Sequence, residues 1–140
     1  DQQLISNVGH GPRLWHAVLR TDHLDMLRWG LVNTGLNPGD PIEASRETPQ
    51  GLLSWRILVR DDGRLEAGGA LPTLIQWDGP HPTTAMAGSP VQLLSVELGG
   101  LPATARAVLR PRGPRWARTV DAPALAVTLQ TPRGVVHLHT

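Results

Sequence analysis

The chain of 140 residues contains no cysteine, phenylalanine, tyrosine or lysine. The lack of cysteine excludes disulfides, a thiol nucleophile and thiolate-ligated zinc. It fits a reducing compartment, and the expected location is cytoplasmic. With lysine absent, all 13 basic side chains are arginines, cations that stay charged and grip carboxylate or phosphate through a planar fork. Net charge is only +1, so the pI near 9.2 reflects a small imbalance. No apolar run approaches the roughly 18 residues of a bilayer-spanning helix, and no membrane partner is expected. Neither a Ser-His-Asp order, a phosphate loop nor a His-Glu-x-x-His motif occurs, which leaves nucleophile-driven hydrolysis without support.

What is present alternates. Leu14-Trp15-His16-Ala17-Val18-Leu19-Arg20 reads as a strand after an N-terminal loop over residues 1–13. A helix is expected from about Asp22, capped by Thr21 or Asp22, with Asp25 in its first turn and Gly35 as its stop. Leu24, Leu27 and Leu31 give it one apolar stripe. Ile42 to Glu47 reads as a short strand, Thr48-Pro49-Gln50-Gly51 as a turn, and Leu52 to Arg60 as the next strand. Leu71-Pro72-Thr73-Leu74-Ile75-Gln76-Trp77-Asp78 is a strand ended by Gly79-Pro80-His81-Pro82.

After the Pro- and Gly-rich connector 79–90 a shorter copy is expected: a strand from Val91 to Leu98, a short helix over Leu101 to Leu109, an irregular Arg110 to Arg118, and a hairpin of Ala124 to Gln130 with Val135 to His139. A chain of this size should bury roughly 68–70% of its unfolded surface, enough for one domain.

Side chains alternate across a strand with a period of two. On that basis Trp15, Trp55 and Trp77 share the packing face that meets the helix stripe, with ligand stacking as the alternative. His16, Arg20, Ser54, Arg56, Gln76 and Asp78 share the opposite, polar face.

With these residues in place, the order strand-helix-strand-strand-strand, the segments around His16, Ser45-Arg46, Leu53-Ser54-Trp55-Arg56 and Gln76-Trp77, and the His81-Pro82 exit together resemble the glyoxalase-like family of the vicinal oxygen chelate superfamily. The resemblance spans nearly the whole chain and is strongest over 14–82. It implies an α+β fold of βαβββ units forming a curled mixed sheet around a cleft, with helices on the convex face. Residues 14–82 are one complete unit and 91–140 a shorter, divergent unit of the same domain. A further unit is expected upstream, since the chain opens on Asp1.

The resemblance also implies chemistry. In metal-dependent relatives a first-strand His and a fourth-strand Glu or Gln hold a divalent ion such as Mn, Fe, Ni or Zn. His16 and Gln76 match those positions, and His137 falls at the fourth-strand position of the second unit. For His16 and Gln76, hydrogen bonding in the cleft wall is the alternative. His137 and His139 form either a chelating pair or a solvated one. Arg56, Gln76, Trp77, His81, Arg46 and Ser45 are the expected ligand-binding set, with Arg46 or Arg56 either clamping an anionic group or forming a surface ion pair with Glu43, Glu47 or Asp78, and His81 at the cleft mouth either a general base or a loop residue held by its flanking prolines.

The expected function is a glyoxalase-like small-molecule-binding domain with metal-assisted lyase, isomerase or dioxygenase-type chemistry. The alternative is a non-catalytic module that sequesters a small apolar or anionic ligand. A homodimer or the upstream unit is the expected protein partner. The acid-free run Arg106, Arg110, Arg112, Arg115 and Arg118 points to an acidic partner or to a solvated basic loop, and nucleic acid is not expected.

Overall fold

A computed structural model describes residues 12–140, so the N-terminal loop expected over 1–13 lies almost wholly outside the described residues. Strand β1 (Val18–Arg20) leads into helix α1 (Leu24–Asn33), β2 (Asp40–Thr48), β3 (Gly51–Val59) and β4 (Thr73–Asp78). A second series follows as β5 (Gln92–Gly99), helix α2 (Ala103–Leu109), β6 (Arg115–Thr119), β7 (Leu125–Thr131) and β8 (Gly134–His139). Short 3-10 turns at Glu66–Gly69 and Pro82–Ala85 flank β4. The described residues thus form two helices and eight strands in two mixed, curled, unclosed sheets, an α+β fold.

The first sheet has the order β1-β4-β3-β2. Its two edge strands are joined by α1, and only β1 with β4 is parallel. The second sheet has the order β6-β5-β7-β8, so its first strand is central and pairs with both the second and the third. The two halves therefore share a sequence of elements but not their connections. Strand β6 falls in the stretch expected to be irregular. Its Arg-Trp-Ala-Arg-Thr composition gives no clear period-two signal, and pairing to β5 holds it in place. The segment before β1 meets the far edge of the second sheet, where the Leu14 N–H donates to the His139 carbonyl at 3.1 Å.

Both helices pack on the same core. Leu24 and Leu31 of α1 are fully buried with Leu58 and Leu74 of the first sheet, as are Ala105 and Leu109 of α2 with Val96, Leu98 and Leu125 of the second. Gly30 lets the helices approach: a Cβ there would lie 2.7 Å from Val108 Cγ1. Helix α1 ends where Gly35 takes a left-handed φ of +88 and its N–H returns to the Val32 carbonyl, the expected stop.

The sides of β3 and β4 are the reverse of those expected, while Ala17 and Leu19 at β1 pack against the core as expected. Leu58 and Leu74 lie under the helices, so by alternation the tryptophans of β3 and β4 point to the opposite, open side. The parallel register explains the error. Leu19 stands opposite Leu74 and Arg20 opposite Ile75, so the apolar face of β1 continues the Leu74–Gln76 side of β4, not the Trp77 side. A one-residue change of register exchanges the two faces, and a sequence does not state register.

Candidate functional site

Three cross-strand rows run across β2, β3 and β4. Glu43, Arg56 and Gln76 make the first, Ala44, Trp55 and Trp77 the second, and Ser45, Ser54 and Asp78 the third. All nine residues line one depression of about 490 Å³. The first and third rows point toward the helix side, and the middle row points away from it.

On the helix side, two of the expected ligand-binding residues already have partners. The Gln76 Oε1 accepts the Leu24 N–H at 2.9 Å and caps the first turn of α1. The expected caps do not reach that turn: Thr21 accepts only the His23 N–H, and the residue before the helix makes no side-chain cap. A long amide from a neighbouring strand replaces the local serine-like cap that the sequence suggests. Arg56 Nη1 meets both carboxylate oxygens of Asp25, at 3.3 and 3.2 Å. The pair is solvent-facing and contributes little stability.

On the open side lies an aromatic series. The Trp55 and Trp77 rings are 5.1 Å apart, and the Trp77 and His81 rings are 5.4 Å apart and edge-to-face. Both spacings fall in the range favoured by aromatic quadrupoles. Ile42, Ile57 and Ile75 form the adjoining row, ending at Arg20 of β1. Ile42 and Val18 at the margins of this side are 49% and 54% exposed, Ile75 between them is buried, and Trp55, Trp77 and His81 are half-buried. Arg46, opposite Leu53, reaches the same side by alternation.

His81 is held by its own exit loop. Its Nδ1 accepts the Thr83 N–H at 3.1 Å and lies 2.7 Å from Thr83 Oγ1, which leaves Nε2 to carry the proton of the neutral ring. Burial lowers the His81 pKa below the ordinary histidine value of 6.5, and the positive charge of Arg20 lowers it further. The ring is therefore neutral at pH 7 and presents an Nε2–H donor.

The structure gathers Arg56, Gln76, Trp77 and Ser45 around the depression and sets Trp77, His81 and Arg46 on the open side. Trp55, Arg20 and Ile42 join the open-side group although none of them was expected in the binding set. Their signal is present in the alternation of β1, β2 and β3, once the side carrying the helix is known.

The expected metal ligands do not converge. Gln76 spends its oxygen on α1. His16 precedes β1 on the alternation opposite Ala17 and Leu19, and its buried Nδ1 has no hydrogen-bond partner. His137 lies in the second sheet beside Thr128 Oγ1, 3.1 Å away. There β5 and β8 are separated by β7, so a first-strand and fourth-strand pair cannot meet as they would in the first unit. His139 Nδ1 lies 2.8 Å from the Thr140 carbonyl. Among the described residues no group of three or more His, Cys, Asp or Glu side chains could hold an ion. A lone imidazole is not a divalent site. These residues do not fit the group, and no chemical step is routed through it.

An α+β chain with a βαβββ half, its sheet open on an aromatic side and its helix on the other, is compatible with a small-molecule-binding or enzyme domain. The chain belongs to the glyoxalase-like domain family, whose profile matches residues 2–112, within the vicinal oxygen chelate superfamily. Comparison with curated proteins and with solved structures gives no match. Among the described residues no helix is long and apolar enough to cross a membrane.

Proposed function

We propose that this glyoxalase-like domain binds a small, largely apolar ligand with an anionic group on the open side of its first sheet. The observation that carries the reading is the half-buried Trp55–Trp77–His81 series on the side away from the helices, flanked by cations. Aromatic faces supply apolar area and stacking at low conformational cost. Arg20 and Arg46 supply forked donors for a carboxylate or phosphate. Neutral His81 offers one further hydrogen bond through Nε2. Binding and orientation are what these side chains support. His81 is also the open-side group that could exchange a proton with a bound ligand near neutral pH.

A second reading puts a polar ligand on the helix side of the depression, against Ser45, Ser54, Glu43 and Asp78. It is favoured by the polar side chains that the first and third rows place on that side. One titration separates the two. With 1-naphthoate as probe, the first reading expects Trp77→Ala to weaken binding by about tenfold or more, the equivalent of roughly 1.4 kcal/mol, with Ser45→Ala unchanged. Equal affinity in wild type and Trp77→Ala would reject it.

A further inference from the structure

The five arginines of residues 106–118 are not used by the proposed binding site, and they surround an open strand edge. Strand β6 is the edge of the second sheet. On its inner side it pairs with β5 in parallel from Arg115 to Thr119, and the Thr119 carbonyl accepts the Gly100 N–H just beyond β5. Backbone groups of successive residues point to alternate sides of a strand, so those of Trp116 and Arg118 point outward. Consistent with this, the Trp116 carbonyl is met by Arg106 Nη2 at 3.1 Å, not by β5. The N–H and carbonyl of Arg118 remain as an outward donor and acceptor.

The charge around this edge has one sign. Between Glu97 and Asp121 the sequence contains no acid. Arg106, Arg110, Arg112, Arg115 and Arg118 enter no ion pair among the described residues. The acids that flank this stretch in sequence are Glu97, opposite Ala117 on β5, and Asp121 beyond the end of β6. An unpaired edge is ordinarily blunted by charge or covered, and here it is framed by uncompensated cations. Strand β6 also lies beyond the residues matched by the family profile.

We infer that β6 is a docking edge for an extended acidic peptide segment, which adds antiparallel or parallel to it as a further strand. The backbone of Arg118 supplies the register, and Arg115 on one face of β6 and Arg118 on the other flank the added strand, so that carboxylates on either of its faces meet an arginine. Strand addition draws affinity from main-chain hydrogen bonds and selectivity from side-chain pockets or charges. Nucleic acid is the less favoured polyanion. The aromatic residue of the patch, Trp116, packs against the core and its indole N–H donates to the Arg112 carbonyl at 3.2 Å, so it offers no stacking platform of the kind single strands use.

The test uses the full chain and a fluorescent peptide of alternating glutamate and valine, with a single-stranded oligonucleotide of equal charge beside it. The expected result is saturable peptide binding at low salt. It weakens by about tenfold or more in Arg115→Glu/Arg118→Glu, where attraction becomes repulsion, and also in Arg118→Pro. Proline at an outward position of an edge strand removes only the free donor and leaves the sheet intact, and circular dichroism verifies that the fold persists. Absence of peptide binding at low salt overturns the inference. So does peptide binding that is indifferent to Arg118→Pro, which would mark plain charge attraction, and so does tighter binding of the oligonucleotide.

Discussion

At the scale of single residues, Gln76 and His81 show how one strand and its exit serve both sides of a sheet. Gln76 links β4 to the first turn of α1 through the Leu24 N–H. Gln76→Ala should therefore cost about 1 kcal/mol, the usual worth of a helix cap. Gln76→Glu should retain stability, because a carboxylate accepts the same bond and is favoured at a helix N-terminus. Urea unfolding of the two variants checks both expectations. His81 is held neutral by burial and by Arg20. Its folded pKa lies below its unfolded one, so the unfolded chain takes up the proton first as pH falls through about 6.5. The His81 contribution to stability is present above that pH and declines below it, until the folded ring also protonates. Chemical unfolding at pH 7.5 and pH 5.5 should show the wild type losing more stability than His81→Asn. An equal loss in both would place the histidine in a more solvated setting.

At the scale of elements, the meeting of α1 and α2 depends on the missing side chain of Gly30. Gly30→Leu must push against Val108 and should cost about 1–3 kcal/mol through overpacking. Gly30→Ala should be milder, since the Val108 side chain can shift and alanine favours the helix. Thermal unfolding of the pair reports the difference. The same scale shows what was legible in the sequence. The stripe Leu24, Leu27 and Leu31 and the Gly35 stop are local signals, and α1 sits where they place it. Alternation in β3 and β4 correctly separates Trp55 and Trp77 from Arg56 and Gln76. It does not say which set meets the helix, because that depends on the register of β1 against β4. Leu58 and Leu74 settle the matter by burial. Strand β6 escaped notice because pairing with β5, not its own composition, makes it a strand. Alternation fixes sides only within one strand, and the step between strands, on which any pairing of His16 with Gln76 rests, needs the register.

At the scale of the whole molecule, the two halves bury one side of each sheet in a shared core and leave the open side of the first sheet with an aromatic series and flanking cations. This arrangement in a domain of the glyoxalase-like family suits the proposed ligand, a small apolar acid. Four of the five tryptophans divide this molecule conveniently. Trp55 and Trp77 face the open side, Trp29 is on the outer surface of α1 beneath the Arg28 guanidinium, and Trp116 packs against the second sheet's core. The most direct measurement is a titration of 15N-labelled protein with 1-naphthoate, following the indole N–H resonances. The account predicts saturable shifts at Trp55 and Trp77, lost in Arg20→Ala/Arg46→Ala, with Trp29 and Trp116 unmoved. Shifts confined to Trp29 or Trp116, or no saturable shift at Trp55 and Trp77, would contradict it.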